Sequence, residues 1–78
     1  MNKEESLYML IENVLGLSPN SISNDSKSDD FDEWDSLNII NLMLSLKEEF
    51  KIEITIDEAV EMLDVKNIIS MLENKKVF

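Results

Sequence analysis

The chain contains neither cysteine nor histidine. Without cysteine there is no disulfide, no thiolate metal site and no cysteine nucleophile. Without histidine, the usual general base and the commonest metal ligand are both missing. No pair of carboxylates converges at a defined spacing either, so the residues do not read as an enzyme. Basic residues are scarce: 7 against 17 acidic ones, for a net charge of -10. That balance argues against nucleic acid and anionic membrane as partners. It favours basic protein surfaces and steers them toward the chain. No apolar run approaches the roughly 20 residues of a membrane span, and no signal-peptide core is present. A cytoplasmic protein is expected.

What remains is enough for one small domain. Seventy-eight residues, 44% of them hydrophobic, can build a single core. A chain of that length buries only about 60% of its unfolded surface, so modest stability is expected. The periodicity predicts a first helix over Lys3–Leu15. Asn2 and Glu5 have capping spacing, and Leu7, Leu10, Ile11 and Val14 recur on one face. Gly16, the only glycine, is a natural stop, and Pro19 bars continuation.

A connection over 18–35 follows, rich in Ser, Asn and Asp. Structureless connections beyond about 12–15 residues are uncommon in compact domains and are usually functional or disordered. Ile22, Phe31 and Trp34 read as apolar anchors, with a short turn of helix expected near 20–23. The acids Asp29, Asp30, Asp32, Glu33 and Asp35 have the composition of a calcium loop, but the glycine such a loop needs is missing. No metal site is expected.

The longest apolar-periodic segment opens at Trp34-Asp35-Ser36-Leu37 and runs from 36 to about 51. Asp35 is a suitable N-cap. Trp34 and Ile39 then have the spacing of a hydrophobic staple. Ser36 becomes the first helical residue, with its hydroxyl beside a positive helix end. That position suits a serine carrying a phosphate ester. At about 100° per residue, Ile39, Leu42, Met43, Leu46 and Phe50 share one core-facing arc. Leu37, Ile40 and Leu44 fall in a second arc, bordered by Asn41, Lys47, Glu48 and Lys51. Periodicity alone leaves open whether that second strip is a protein-binding face or is covered by another helix or the loop.

Residues 52–56 alternate, but no second strand candidate exists. They read as an extended connector with buried isoleucines. Thr55 and Glu58 form a capping box for a short helix over 56–62. Asp64 caps a last helix over 65–73, with Val65, Ile68, Ile69 and Leu72 inside. Lys75 and Lys76 suit its negative end. The expected fold is all-α: a small four-helix bundle of three longer helices and one short one, with a long loop between the first two.

D-S-L at 35–37, leading into L-N-I-I-N-L-M-L-S-L-K-E-E-F (37–50), resembles the acyl carrier protein family. The likeness continues through I-E-I-T-I-D-E-A-V-E-M-L (52–63) and covers nearly the whole chain. The resemblance implies a 4′-phosphopantetheine arm, donated by coenzyme A, on Ser36, with Asp35 and Leu37 flanking it. It implies a carrier that shuttles thioesters and is not itself a catalyst. It further implies a partner face at Leu37, Ile40, Asn41, Leu44, Lys47 and Glu48, and an acyl cleft lined by Leu46, Ala59, Met62 and Ile68. The implied partners are a phosphopantetheinyl transferase, an acyl- or aminoacyl-loading ligase, and downstream synthases or transferases, met by a monomeric carrier. Two departures stand out. Glu33-Trp34 replaces the Gly-x that precedes D-S-L in fatty-acid-synthesis carriers, and Asn38, Asn41 and Lys47 stand where acids are usual. The W-D-S-L form looks more like discrete carriers of specialised pathways: polyketide, lipid or glycan modification, or aminoacyl transfer. Fatty-acid, polyketide and aminoacyl or peptidyl cargo, including a D-alanyl type, stay open, as does an unmodified helical adaptor.

Overall fold

The computed structural model describes residues 2–78. Helix α1 spans Lys3–Leu15, α2 Ser36–Phe50, α3 Ile56–Ala59 and α4 Val65–Asn74. No strand occurs among the described residues; Lys27 and Asp64 make a lone antiparallel bridge.

Each helix begins where a side chain takes an N–H that the helix itself cannot satisfy. The Glu5 N–H donates to Asn2 at 2.7 Å, the Asn38 N–H to Asp35 at 2.9 Å, and the Asn67 N–H to Asp64 at 2.7 Å. Thr55 and Glu58 complete the expected reciprocal box. Helix α1 ends on Gly16 at φ 72°, and the Leu17 N–H folds back onto the Glu12 carbonyl at 2.9 Å. That left-handed cap is where glycine matters, since a side chain there would be strained. Helix α2 closes the same way on Lys51 at φ 55°.

The core gathers Leu7, Ile11 and Leu15 of α1, Leu42, Met43 and Leu46 of α2, Ala59 of α3, and Val65, Ile68 and Leu72 of α4. Ile22 and Trp34 of the long loop are buried with them, and Phe31 packs against them, so the loop is pinned at all three expected anchors. Glu12, not expected inside, is buried. Its carboxylate accepts the Ile22 N–H at 3.1 Å, which fastens the loop to α1. Phe78 stacks edge-on against Phe50 with ring centroids 5.9 Å apart, closing the far end of α2.

Three local expectations are corrected. No helical turn forms at 20–23: Asn20 takes a left-handed φ of 67°, and the Ser18 carbonyl accepts from the Ser21 hydroxyl at 2.6 Å. The helical turn lies instead at Ser28–Asp30, as a 3-10 turn. Helix α3 stops at Ala59 and does not reach residue 62. Beyond it the Met62 carbonyl accepts from the Trp34 indole and the Leu63 carbonyl from the Ser28 N–H, and these tertiary bonds draw the chain off the helical path. Ile54 is buried as expected, but Ile56, at the first position of α3, is 58% exposed.

Lys75 was expected to serve the end of α4; its ammonium instead reaches Glu58 at 2.9 Å, joining α4 to α3. The Thr55 N–H and the Lys75 ammonium, in that order, hold the Glu58 carboxyl below the usual glutamate range. A depressed folded-state pKa contributes stability above the unfolded-state value and loses it as pH falls through the folded one. Lys75→Ala is therefore expected to lower Tm by about 1–5 °C at pH 7, the scale of a partly exposed pair. The difference between the two proteins should shrink as pH falls through the depressed folded-state value, below which Glu58 is protonated in both. Melting curves across that range check it; a difference independent of pH would show that Lys75 acts by packing alone.

Candidate functional site

Ser36 lies exposed at the first position of α2. Just before it the chain is held rigidly. The Trp34 N–H donates to the Phe31 carbonyl at 3.1 Å, and the Asn38 side-chain amide to the Glu33 carbonyl at 2.8 Å. The Asp35 carboxylate is engaged by the Asn38 N–H, and the Asp35 carbonyl accepts the Ile39 N–H at 2.9 Å. The N–H groups of Ser36 and Leu37 have no acceptor among the described residues. They point out of a positive helix end next to the Ser36 hydroxyl, and no acid lies in the first turn of α2. A phosphate ester on that oxygen would meet free donors and a favourable dipole.

The second strip on α2 is uncovered: Leu37 is 70% exposed, Leu44 52% and Ile40 37%. Neither a further helix nor the loop shields it. Asn41 is exposed and donates to the Asn38 side chain at 3.1 Å. The Lys47 ammonium lies 3.8 Å from Glu53, which partly neutralises it. Glu48, exposed, also borders an open groove between α1 and α2 of about 640 Å³. Leu46, Ala59, Met62 and Ile68 come together in the interior, all fully buried. They bring α2, α3, the α3–α4 junction and α4 to one apolar centre.

Sequence reasoning missed a second apolar surface. Ile56, Val60 and Leu63 are 58%, 57% and 47% exposed, on and just after α3, which packs against α2. Their i, i+4, i+7 spacing was the available signal, masked by reading Ile56 as buried. Also missed was the Trp34 indole N–H, which donates to the Met62 carbonyl at 3.1 Å. No local signal points to that bond.

Residues 5–72 match the family model described as "Phosphopantetheine attachment site". The acyl carrier protein of Buchnera aphidicola subsp. Baizongia pistaciae is 36% identical over 77 residues, covering 99% of this chain and 97% of its own. The chain belongs to the acyl carrier protein family. The acyl carrier protein of Campylobacter hominis is 32% identical over 70 residues, 90% of this chain and 89% of that one. The fold matches the solution structure of a holo acyl carrier protein from Geobacter metallireducens, with a TM-score of 0.80 and 24% identity over 97% of this chain and 87% of that one. As an acyl carrier protein the chain is a carrier and not a catalyst, and its cofactor is a covalent 4′-phosphopantetheine. The unmodified-adaptor alternative falls with that assignment. Family membership also brings a phosphopantetheinyl transferase and further enzymes as partners. Among the described residues no helix is long and apolar enough to cross a membrane.

Proposed function

We propose that Ser36 carries the 4′-phosphopantetheine and that the chain, acting as one monomeric cytoplasmic carrier domain, delivers thioester-bound acyl groups between the enzymes of a dedicated pathway. The observation that carries this reading is the exposed Ser36 hydroxyl at the head of α2, beside two unbonded N–H donors. The arm supplies the thiol that a cysteine-free chain lacks. The chain's own part is to hold the attachment point. The Asp35 cap fixes the first turn, the free N–H groups face the phosphate, and Trp34 roots the preceding loop in the core. Intact mass of the protein purified from its native host tests this, reading arm and cargo together. An acyl-loaded species supports the proposal, an aminoacyl-loaded one assigns the carrier to aminoacyl transfer, and an unmodified chain refutes it.

The docking face in this reading is the strip of Leu37, Ile40 and Leu44, joined by Ile56, Val60 and Leu63. About half of its apolar surface is in water, and a partner that covers it gains roughly 25 cal/mol per Å² before association costs. Lys47 stands on its rim, where a basic partner surface would meet like charge. Lys47→Glu is expected to raise the rate of acyl transfer to enzymes of general fatty-acid synthesis, while wild type serves them poorly. Transfer rates from the loaded carriers check this; equal rates, with wild type already as good as a housekeeping carrier, would sink the idea of a dedicated pathway.

A further inference from the structure

Trp34 is the only tryptophan of the chain, 4% exposed and two positions before Ser36. Its indole N–H leaves the loop and donates to the Met62 carbonyl at 3.1 Å, in buried surroundings. Met62 lies in the α3–α4 junction with its side chain in the apolar centre. Two backbone bonds tie the same junction to the same loop: the Ser28 N–H to the Leu63 carbonyl at 2.8 Å, and the Val65 N–H to the Ser26 carbonyl at 3.0 Å. Those bonds form whatever residue stands at 34. The indole bond depends on one side chain.

We propose that Trp34 sets the length at which an acyl chain leaves solvent for the interior, by tying the α3–α4 junction to the loop that carries Ser36. The inference rests on Ser36 as the attachment site. Cargo reaching the space around Leu46, Ala59, Met62 and Ile68 must shift α3 and its junction, because all four side chains are fully buried. That shift stretches the indole bond and disturbs the packing of the ring. Short cargo gains too little from burial to do so and stays outside. Each buried methylene favours the inserted state about fourfold, and a buried neutral hydrogen bond opposes it about fivefold. Losing the indole bond therefore lowers the threshold by about one to two methylenes. Phenylalanine at 34 acts in the same direction, since its smaller ring leaves room beside Met62.

Wild type and Trp34→Phe are loaded with acetyl, butyryl, hexanoyl or octanoyl groups from the matching acyl-coenzyme A by a phosphopantetheinyl transferase. Two quantities are read: the rate at which hydroxylamine cleaves the thioester, and Tm. Acetyl cargo is expected to be cleaved equally fast from both. Slower cleavage and raised Tm should set in at a shorter chain in Trp34→Phe. At longer chains, where cargo is mostly inserted in both proteins, the variant should be cleaved about fivefold more slowly than wild type. Identical length dependence in the two proteins overturns the proposal, as does the absence of any protection up to octanoyl. Should Trp34→Phe prove unfolded by circular dichroism, wild type alone decides through Trp34 fluorescence. Emission must shift at the length where cleavage slows, and slowed cleavage with unchanged emission overturns the idea. Ser36→Ala, treated identically, separates the two readings. Cargo on that variant, or none on wild type, refutes the attachment site and is seen by mass before any length dependence is measured.

Discussion

Incubated with coenzyme A and a phosphopantetheinyl transferase, the wild-type chain is expected to gain a single arm and the Ser36→Ala chain none. The effect is all-or-none because the ester needs a hydroxyl at one place. Ser6, Ser45 and Ser70 lie within α1, α2 and α4, where the backbone N–H groups already bond along the helix. Only Ser36 combines exposure, the first helical position and unbonded donors. The substitution itself should leave the fold intact. Ser36 is exposed and is not the cap, so a change in stability within about 0.5 kcal/mol is expected. Circular dichroism and Tm alongside the mass spectrum separate a missing attachment point from a missing fold. An arm on a folded Ser36→Ala protein would sink the assignment.

The second large effect separates the two faces of α2. Leu46→Ala is expected to cost ~2–5 kcal/mol, because Leu46 is fully buried and truncation leaves a cavity as well as losing burial. In a domain of this size that corresponds to a fall in Tm of about 10–30 °C, enough to unfold a marginal chain near physiological temperature. Leu44→Ala, two positions earlier on the half-exposed strip, should cost less than about 1 kcal/mol. Its penalty should appear instead as slower acyl transfer to the partner enzyme. Chemical denaturation of both variants with the transfer assay gives a crossed pattern: one loses stability, the other transfer. Comparable destabilisation by both would mean the strip is covered in solution and is not a docking face.

The elements readable from sequence were those whose causes lie within a few positions of one another. Asn2 with Glu5, Asp35 with Asn38, Thr55 with Glu58 and Asp64 with Asn67 are each three residues apart. Capping at that spacing is set by local backbone geometry, whatever the rest of the chain does. Gly16 closed α1 for the same reason. The two faces of α2 followed from its 3.6-residue period, and the place of Ser36 followed from the cap beside it. Whether the second face stayed open was a different matter, since periodicity describes a helix and not what packs against it. The tertiary structure also decided the bonds that join distant segments. The Trp34 indole meets the Met62 carbonyl across 28 positions, and the Ile22 N–H meets the buried Glu12 carboxylate across 10. Lys75 turned from the end of α4 to Glu58. Partners so far apart in sequence are chosen by which surfaces the core brings together, and a buried polar group then takes the acceptor or donor it finds there, because leaving it unpaired costs more than a helical turn. That competition shortened α3 and tied the loop bearing Ser36 to the apolar interior.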